Sequence, residues 1–508
     1  MTDYGTILRR IIWVYALSYL ILPVSFVIKA IYARQVNIVD YGLFFGLFAI
    51  FGMCALVRDW GLAASSLYHV NKYLVRKEYS KIKTMYWINI AFQLSAAILI
   101  ALILLSLKGT ILTTVFKNEG HISFLFNIFL LYWIIETVHG ANMNFLNIFQ
   151  EQKVAKIFDL CVKIVILVMS LALFAVTQDY QVPVLAYLCS MILITMVSSI
   201  YLARRYRHIF AAKLYTGRDL LKEYFTFGSV AVLASISGIL FLYTDTFLVQ
   251  FFLGAEQVGY YTTAYSVAEI IILFVAPLAI ITPPIFNRLW HEKDMKQLRS
   301  IVQFIFSNLP FIILPISIFF FILAPHIIYF IVGPKFTSSV ALLQIFCLYE
   351  IIKISTMFMT QLVVAQGKIK KITMTTIIVG IIDLIGKITL INVPWLGAKG
   401  AIIMATLTQA TFLTVYWLDV RGAMKIKLSM TSILQAGLGA AVFTLITLGL
   451  RNVELVRLPS TAWTYLVNGG LTFLAAMTVY VAALYAMRVI TKDKVRLVKA
   501  MIMRKENK

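Results

Sequence analysis

Charge is scarce in this 508-residue chain: Asp, Glu, Lys and Arg make up 13% of it, against about 25% in an ordinary soluble domain. With 61% apolar residues and a mean hydropathy of +0.89, the composition excludes a water-soluble globular protein. Cysteine is limited to Cys54, Cys161, Cys189 and Cys347, all inside apolar runs and none in CxxC spacing. Each reads as a small buried hydrophobe, and neither disulfide nor metal site is expected. No D-x-D, H-E-x-x-H or G-x-x-x-x-G-K-[ST] sequence occurs, so metal-assisted transfer and nucleotide hydrolysis lack residues to carry them. An enzyme is therefore not expected, no cofactor is implied, and transport without chemistry is the main class left.

What is present is a succession of long apolar runs. Windows between charged or turn-rich punctuation predict fourteen membrane-spanning helices near 11–33, 42–57, 85–107, 122–148, 157–177, 182–203, 225–252, 259–286, 300–323, 339–365, 372–391, 396–419, 429–450 and 461–487. The first follows Arg9-Arg10, is too long for a signal-peptide core and has no small-residue cleavage site behind it, so it is expected to stay in the mature chain. An even count puts both termini on one side. With the N-terminus inside, thirty-four of the 45 Lys and Arg residues fall on inside segments and seven outside (Arg34, Lys108, Lys117, Lys335, Lys399, Arg451 and Arg457). Basic residues stay on the cytoplasmic side, so the count predicts a multi-pass protein of the cytoplasmic membrane with both termini cytoplasmic. The net charge of +23 then reads as topology and attraction to anionic membrane lipids, not as a nucleic-acid footprint. Exterior connectors are at most about 15 residues on this map, which leaves no room for a separate catalytic domain.

The chain echoes itself. Asp40-Tyr41-Gly42-Leu43-Phe44 after the first span matches Gln257-Val258-Gly259-Tyr260-Tyr261 at an offset of 217, and Phe149-Gln150-Glu151-Gln152-Lys153 matches Ala365-Gln366-Gly367-Lys368 at 216. Matching offsets suggest two six-helix lobes of one orientation. The predicted organisation is an N-lobe over 1–203, a cytoplasmic linker over 204–224, a C-lobe over 225–419, two further helices over 420–487 and a basic tail over 488–508. Asp159-Leu160-Cys161-Val162-Lys163 against Asp383-Leu384-Ile385-Gly386-Lys387, at an offset of 224, is a weaker echo.

Ionisable residues inside spans cost about 2.5–3.5 kcal/mol each on insertion scales, so each needs a partner, a wet cavity or a function. Glu136 with His139 and Glu350 with Lys353 are i, i+3 pairs at equivalent depths of the two lobes, either structural ion pairs or sites lining a cavity. Lys29 and Arg34 end the first span, to snorkel or to hold an anion; Arg58-Asp59 ends the second, and as sequence neighbours these two are expected to contact different elements. Asp245, beside Tyr243, and Glu269 are acids without a local base, to be protonated, to bind Na⁺, or to pair with Lys387 or Lys29. Asp383 and Lys387 are correctly spaced for an i, i+4 pair. Pro23, Pro277, Pro283-Pro284, Pro310 and Pro315 lie where they permit kinks. The aromatics stack on sugars or sit in an interfacial belt.

Several short motifs are similar to landmarks of one family: Ala33-Arg34 with Asp40-Tyr41-Gly42, Asp59-Trp60-Gly61-Leu62, Tyr243-Thr244-Asp245, Gly254 with Val258-Gly259-Tyr260-Tyr261, Gly333-Pro334-Lys335-Phe336, Gln366-Gly367-Lys368 and Gly397-Ala398-Lys399-Gly400-Ala401. They resemble the polysaccharide-export flippases, the O-antigen-unit translocase type of the multidrug/oligosaccharidyl-lipid/polysaccharide exporter (MOP) superfamily. The resemblance implies an all-α polytopic fold of the MATE-like exporter type. It also implies alternating access that moves a polyprenyl-diphosphate-linked oligosaccharide, such as a lipopolysaccharide repeat unit, to the exterior leaflet. Lys29, Arg34, Arg58, Lys353 and Lys387 would hold the diphosphate. Asp59, Glu136, Asp245, Glu269, Glu350 and Asp383 would serve as cavity acids or coupling sites for H⁺ or Na⁺, with His139 and Tyr243 also lining the cavity. Polysaccharide polymerase and glycosyltransferase machinery would be partners. Alternatives are a lipid-linked peptidoglycan precursor flippase, whose last two helices form a groove for the lipid tail, a MATE-type ion-coupled small-molecule exporter, and a membrane enzyme of polysaccharide assembly.

Overall fold

The computed structural model describes residues 4–177, 179–424, 430–451, 453 and 461–489. Most of the predicted basic tail, and Arg457, lie outside the described residues. In chain order the helices are α1 (Tyr4–Gln35), α2 (Ile38–Asp59), α3 (Leu62–Val75), α4 (Tyr79–Ser106), α5 (Lys108–Thr114), α6 (Ile122–Ile148), α7 (Gln152–Val176), α8 (Val182–Arg205), α9 (Arg207–Phe210) and α10 (Arg218–Leu253). They continue as α11 (Ala255–Ala268), α12 (Ile270–Leu273), α13 (Ala276–His291), α14 (Met295–Ile322), α15 (Ala324–Val332), α16 (Ser339–Ala365), α17 (Ile369–Ile391), α18 (Ala398–Met424), α19 (Met430–Leu450) and α20 (Thr461–Ala486).

Among the described residues, twelve helices are long and apolar enough to cross a membrane, and the bent pair Ala255–Leu273 with Ala276–His291 makes a thirteenth if it is one broken span. The predicted span 225–252 falls in α10, which is 36 residues long. The protein is thus an all-α polytopic membrane protein. Span 259–286 is broken by a 70° bend between α12 and α13. The bend precedes Pro277, which sits in the first turn of α13 where its missing N–H is harmless; Pro283 and Pro284 lie within α13 beyond it. Helix α1 runs through Pro23.

Two compact units divide the chain, one of residues 1–263 with 376–401 and the other of 264–375 with 402–508. In the first, α1 packs on α7, α6 on α8 and α2 on α10. Tyr32, Phe44, Phe48, Phe129, Tyr132 and Tyr187 meet edge to face there, with Tyr32 Oη and Ser170 Oγ 2.6 Å apart. These aromatics are core, not an interfacial belt. In the second, α14 packs on α16 and α19, and Tyr480 of α20 donates to the Phe311 carbonyl at 2.9 Å inside an apolar cluster.

The two echoing segments meet. A Cβ on Gly42 would stand 1.8 Å from the Ala255 carbonyl oxygen and 3.1 Å from the Gly259 nitrogen, while one on Gly259 would stand 3.0 Å from the Ile38 carbonyl oxygen. Each glycine lets its own segment approach the other's backbone. Gly254, at φ 91°, makes the turn between α10 and α11, and Glu119 accepts the Ala255 N–H at 3.0 Å to cap the new helix.

Two expectations change. Segment 58–84 is largely helical, since α3 buries Leu62, Ser65, Ser66, His69, Val70 and Tyr73 along one stripe of period 3.6. Of the cysteines only Cys347 is buried; Cys54 and Cys161 are half-buried and Cys189 is exposed, because their helices turn those faces away from the core.

Candidate functional site

Among the described residues, three groups of intramembrane charges are built on a lysine or arginine that faces a carboxylate. In the first, Arg58 at the end of α2 reaches α6, where its Nη1 donates to Glu136 Oε2 at 2.6 Å and Thr137 Oγ1 at 3.0 Å. The guanidinium also lies 5.2 Å from the Trp133 ring, with Tyr243 beside the pair. Glu136 therefore pairs with Arg58 and not with His139, whose Nδ1 is buried without a hydrogen bond. A permanently charged guanidinium outcompetes an imidazole that must first take a proton in an apolar setting. Asp59 turns elsewhere, accepting from Ala63 N and from Gln93 Nε2 of α4, both at 3.2 Å. The divergence expected of Arg58 and Asp59 is what the backbone produces.

The same unit gathers cations on α1 and α7. Lys29 lies 5.8 Å from the Phe45 ring, and Lys163 lies 5.6 Å from the Tyr187 ring. The two ammonium groups are close enough to repel, with Asp159 and Lys163 also within electrostatic reach. Asp159 is already engaged by Lys156 at 2.8 Å. Arg34 is exposed at the last turn of α1, where a headgroup contact is natural. Lys163 and Asp159 stand out in the sequence through the weak 224-residue echo, and Lys163 also as one of four basic residues inside the predicted spans. The spacing of Lys156, Asp159 and Lys163 by three and four is the signal that puts them on one face of α7.

In the second group Lys387 of α17, buried, contacts Asp383 one turn earlier at 2.5 Å and also Asp245 of α10. The Tyr261 hydroxyl donates to the other Asp245 oxygen at 3.0 Å. Of the partners open to Asp245, the structure selects Lys387. In the third group, Lys353 of α16 pairs with Glu350 at 2.8 Å and lies 5.3 Å and 5.4 Å from the rings of Tyr265 and Tyr349. Glu350 is fully buried, its Oε2 makes no hydrogen bond, and Glu269 lies beside both Tyr265 and Glu350. The second and third groups each hold two carboxylates to one lysine. Among the described residues no three His, Cys, Asp or Glu side chains converge as a metal site would require.

The sequence profile of the polysaccharide biosynthesis protein family matches residues 7–290, more than half of the chain and the whole of the first charge group. The chain belongs to that family. A relative among curated proteins, an uncharacterized membrane protein of Methanocaldococcus jannaschii, is 22% identical over 350 residues, which is 66% of this chain and 69% of the relative. Two solved structures share the fold. An inward-facing multidrug resistance MATE family transporter of the MOP superfamily aligns with a TM-score of 0.65 at 14% identity, over 80% of this chain and 94% of its own. The lipid II flippase MurJ, in an inward closed conformation, aligns at 0.63 and 13% identity, over 93% of this chain and 100% of its own. The chain is accordingly a multi-pass membrane protein of the polysaccharide biosynthesis family, with the fold that these two structures share.

Proposed function

We propose that the protein is a flippase for a polyprenyl-diphosphate-linked glycan, carrying it from the cytoplasmic to the exterior leaflet, with both termini in the cytoplasm and the cytoplasmic membrane as its location. The observation that carries the reading is the match of the polysaccharide biosynthesis family to residues 7–290, the part of the chain that also holds Lys29 and Lys163. Lys163 lies within electrostatic reach of Lys29, and Asp159 is engaged by Lys156 at 2.8 Å, so α1 and α7 bring cationic charge together in the first unit. A diphosphate is the kind of anion that such charge attracts. Lys353, Lys387 and Arg58 each face a carboxylate already, so in this conformation they serve less as phosphate ligands than as ion pairs.

The acid-rich groups support coupling to an ion. Two carboxylates stand beside one lysine at Asp245, Asp383 and Lys387, and again at Glu269, Glu350 and Lys353, the oxygen-rich chemistry that a proton or Na⁺ takes. The membrane potential adds a second drive, because each negative charge expelled from an inside-negative cell gains about 2.3 kcal/mol per 100 mV.

Family membership favours a cell-surface polysaccharide repeat unit as the glycan. The alignment with the lipid II flippase, which extends over 93% of this chain, favours a peptidoglycan precursor, and both readings share the lipid diphosphate. Polymerase and glycosyltransferase machinery would then supply and consume the cargo. Mass spectrometry of lipids that co-purify with the parent and with a Lys29→Ala, Lys163→Ala double variant tests the proposal. A polyprenyl-diphosphate glycan on the parent and its loss from the variant are expected, and the sugar masses name the cargo. Bulk phospholipid on both would turn the reading toward the small-molecule export of MATE transporters.

A further inference from the structure

At one end of the second unit, the first half of α14, the start of α19 and the residues after α20 enclose a cavity of about 370 Å³. Its lining is polar: Ser300, Ser307 and Asn308 from α14, Ser432 and Gln435 from α19, and Arg488. Two amides are already oriented by the backbone, Asn308 Nδ2 donating to the Phe304 carbonyl at 2.6 Å and Gln435 Nε2 to the Met487 carbonyl at 3.0 Å. Phe304 stands exposed at the wall and Phe311 forms the apolar floor.

Arg488 is held there by a left-handed helix-end turn, the conformation that Lys77, Gln150 and Lys293 also adopt. It occupies φ 55°, in the left-handed region, in a turn closed by the Val489 N–H on the Leu484 carbonyl (2.9 Å) and the Arg488 N–H on the Tyr485 carbonyl (3.0 Å). Glycine is the usual residue at this position of a helix end, and any other L-residue is strained there. Val489 anchors the turn by packing into the apolar cluster with Leu484, Phe443 and Tyr480. The guanidinium thus lines the cavity from a fixed point while remaining exposed to ligand. Lys296 lies one turn before Ser300 on the same face of α14.

The geometry points to a binding site for the phosphate of an anionic phospholipid headgroup, set apart from the three intramembrane charge groups. A planar guanidinium presents two parallel N–H donors to phosphate, the serine hydroxyls complete the donor set, and Phe304 offers an apolar wall for the glycerol and first acyl carbons. The bilayer in which this helical end is embedded supplies the ligand. Bound there, the lipid ties α14 to α19 and the end of α20. The inference goes beyond the transport reading and does not depend on it.

The test uses the full-length protein in detergent, with native mass spectrometry and thermal melting in the presence of phosphatidylglycerol, phosphatidylcholine or inorganic phosphate. The key variant is Arg488→Gly, which removes the cation and suits the left-handed backbone, so that lost binding is not lost folding. Hydrogen bonds to a charged group are strong enough that about a tenfold fall in retained phosphatidylglycerol is expected for Arg488→Gly, with no fall in lipid-free melting temperature. Arg488→Lys should recover part of the binding. Equal retention by parent and Arg488→Gly, or equal retention of phosphatidylglycerol and phosphatidylcholine by the parent, would overturn the site. Protection by millimolar inorganic phosphate equal to that by phosphatidylglycerol would overturn its assignment to a lipid.

Discussion

Replacing Lys387 by Met probes the energetics of the buried charges directly. The lysine side chain is 2% exposed and sits between Asp383, 3% exposed, and Asp245, 17% exposed. Removing one partner of a buried ion pair costs about 3–5 kcal/mol, because the remaining charge has neither water nor counter-ion. Here one lysine serves two acids, so the upper part of that range is expected, and at least one carboxylate must take a proton. Adding Asp383→Asn to Lys387→Met leaves only Asp245, which keeps its bond from Tyr261, so the double variant should recover at least half of the loss. Tryptophan fluorescence during thermal and denaturant unfolding in one detergent measures both effects. If Lys387→Met changed stability by less than about 0.5 kcal/mol, or if Asp383→Asn gave no recovery in its background, the three residues would not be energetically coupled as the geometry requires.

Arg58→Ala and Glu136→Gln should each destabilise, and the double variant should lose less than their sum, with a coupling of about 1–3 kcal/mol in a double-mutant cycle. Gly42→Ala places a methyl group 1.8 Å from the Ala255 carbonyl oxygen, a backbone atom that cannot step aside, so folded yield should collapse; Gly109→Ala, with nothing within 4 Å, should leave yield and melting temperature unchanged or slightly raised. His69 on α3 is buried with neither ring nitrogen hydrogen-bonded, and burial holds its pKa below the usual 6.5 despite Glu223 at 3.5 Å. The unfolded chain therefore binds a proton that the folded one resists, and stability should fall as pH drops below about 6.5. Lys72 at 2.8 Å holds the Glu223 carboxyl below its usual 4.5, so its contribution is lost only at still lower pH. Melting temperatures from pH 8 to pH 5 should decline for the parent and stay flatter for His69→Gln.

The spans were legible because about twenty consecutive apolar residues have few destinations other than a bilayer. Local ion pairs were legible for a similar reason: Glu350 with Lys353 and Asp383 with Lys387 need only helical spacing, and both form. Helical spacing misled at Glu136 and His139, since a stronger partner, Arg58, arrives from another helix. Selecting Lys387 for Asp245, 142 residues away, likewise required the packing of α10 against α17, about which periodicity is silent. Helix α3 escaped the hydropathy reading because it is short and amphipathic, with Ser65, Ser66 and His69 on its buried stripe. The left-handed Arg488 carries no sequence signal at all, for nothing in the chain marks an arginine where glycine is usual.

The central claim is movement of a lipid diphosphate between leaflets. Proteoliposomes holding the protein and a fluorescent polyprenyl-diphosphate oligosaccharide, with a quencher added outside, measure it. The account predicts protein-dependent transfer that speeds up under an inside-negative potential and is lost when Lys29 and Lys163 are both replaced by Ala. Transfer equal in protein-free and protein-loaded vesicles, with a soluble cation exported by the same protein, would contradict it.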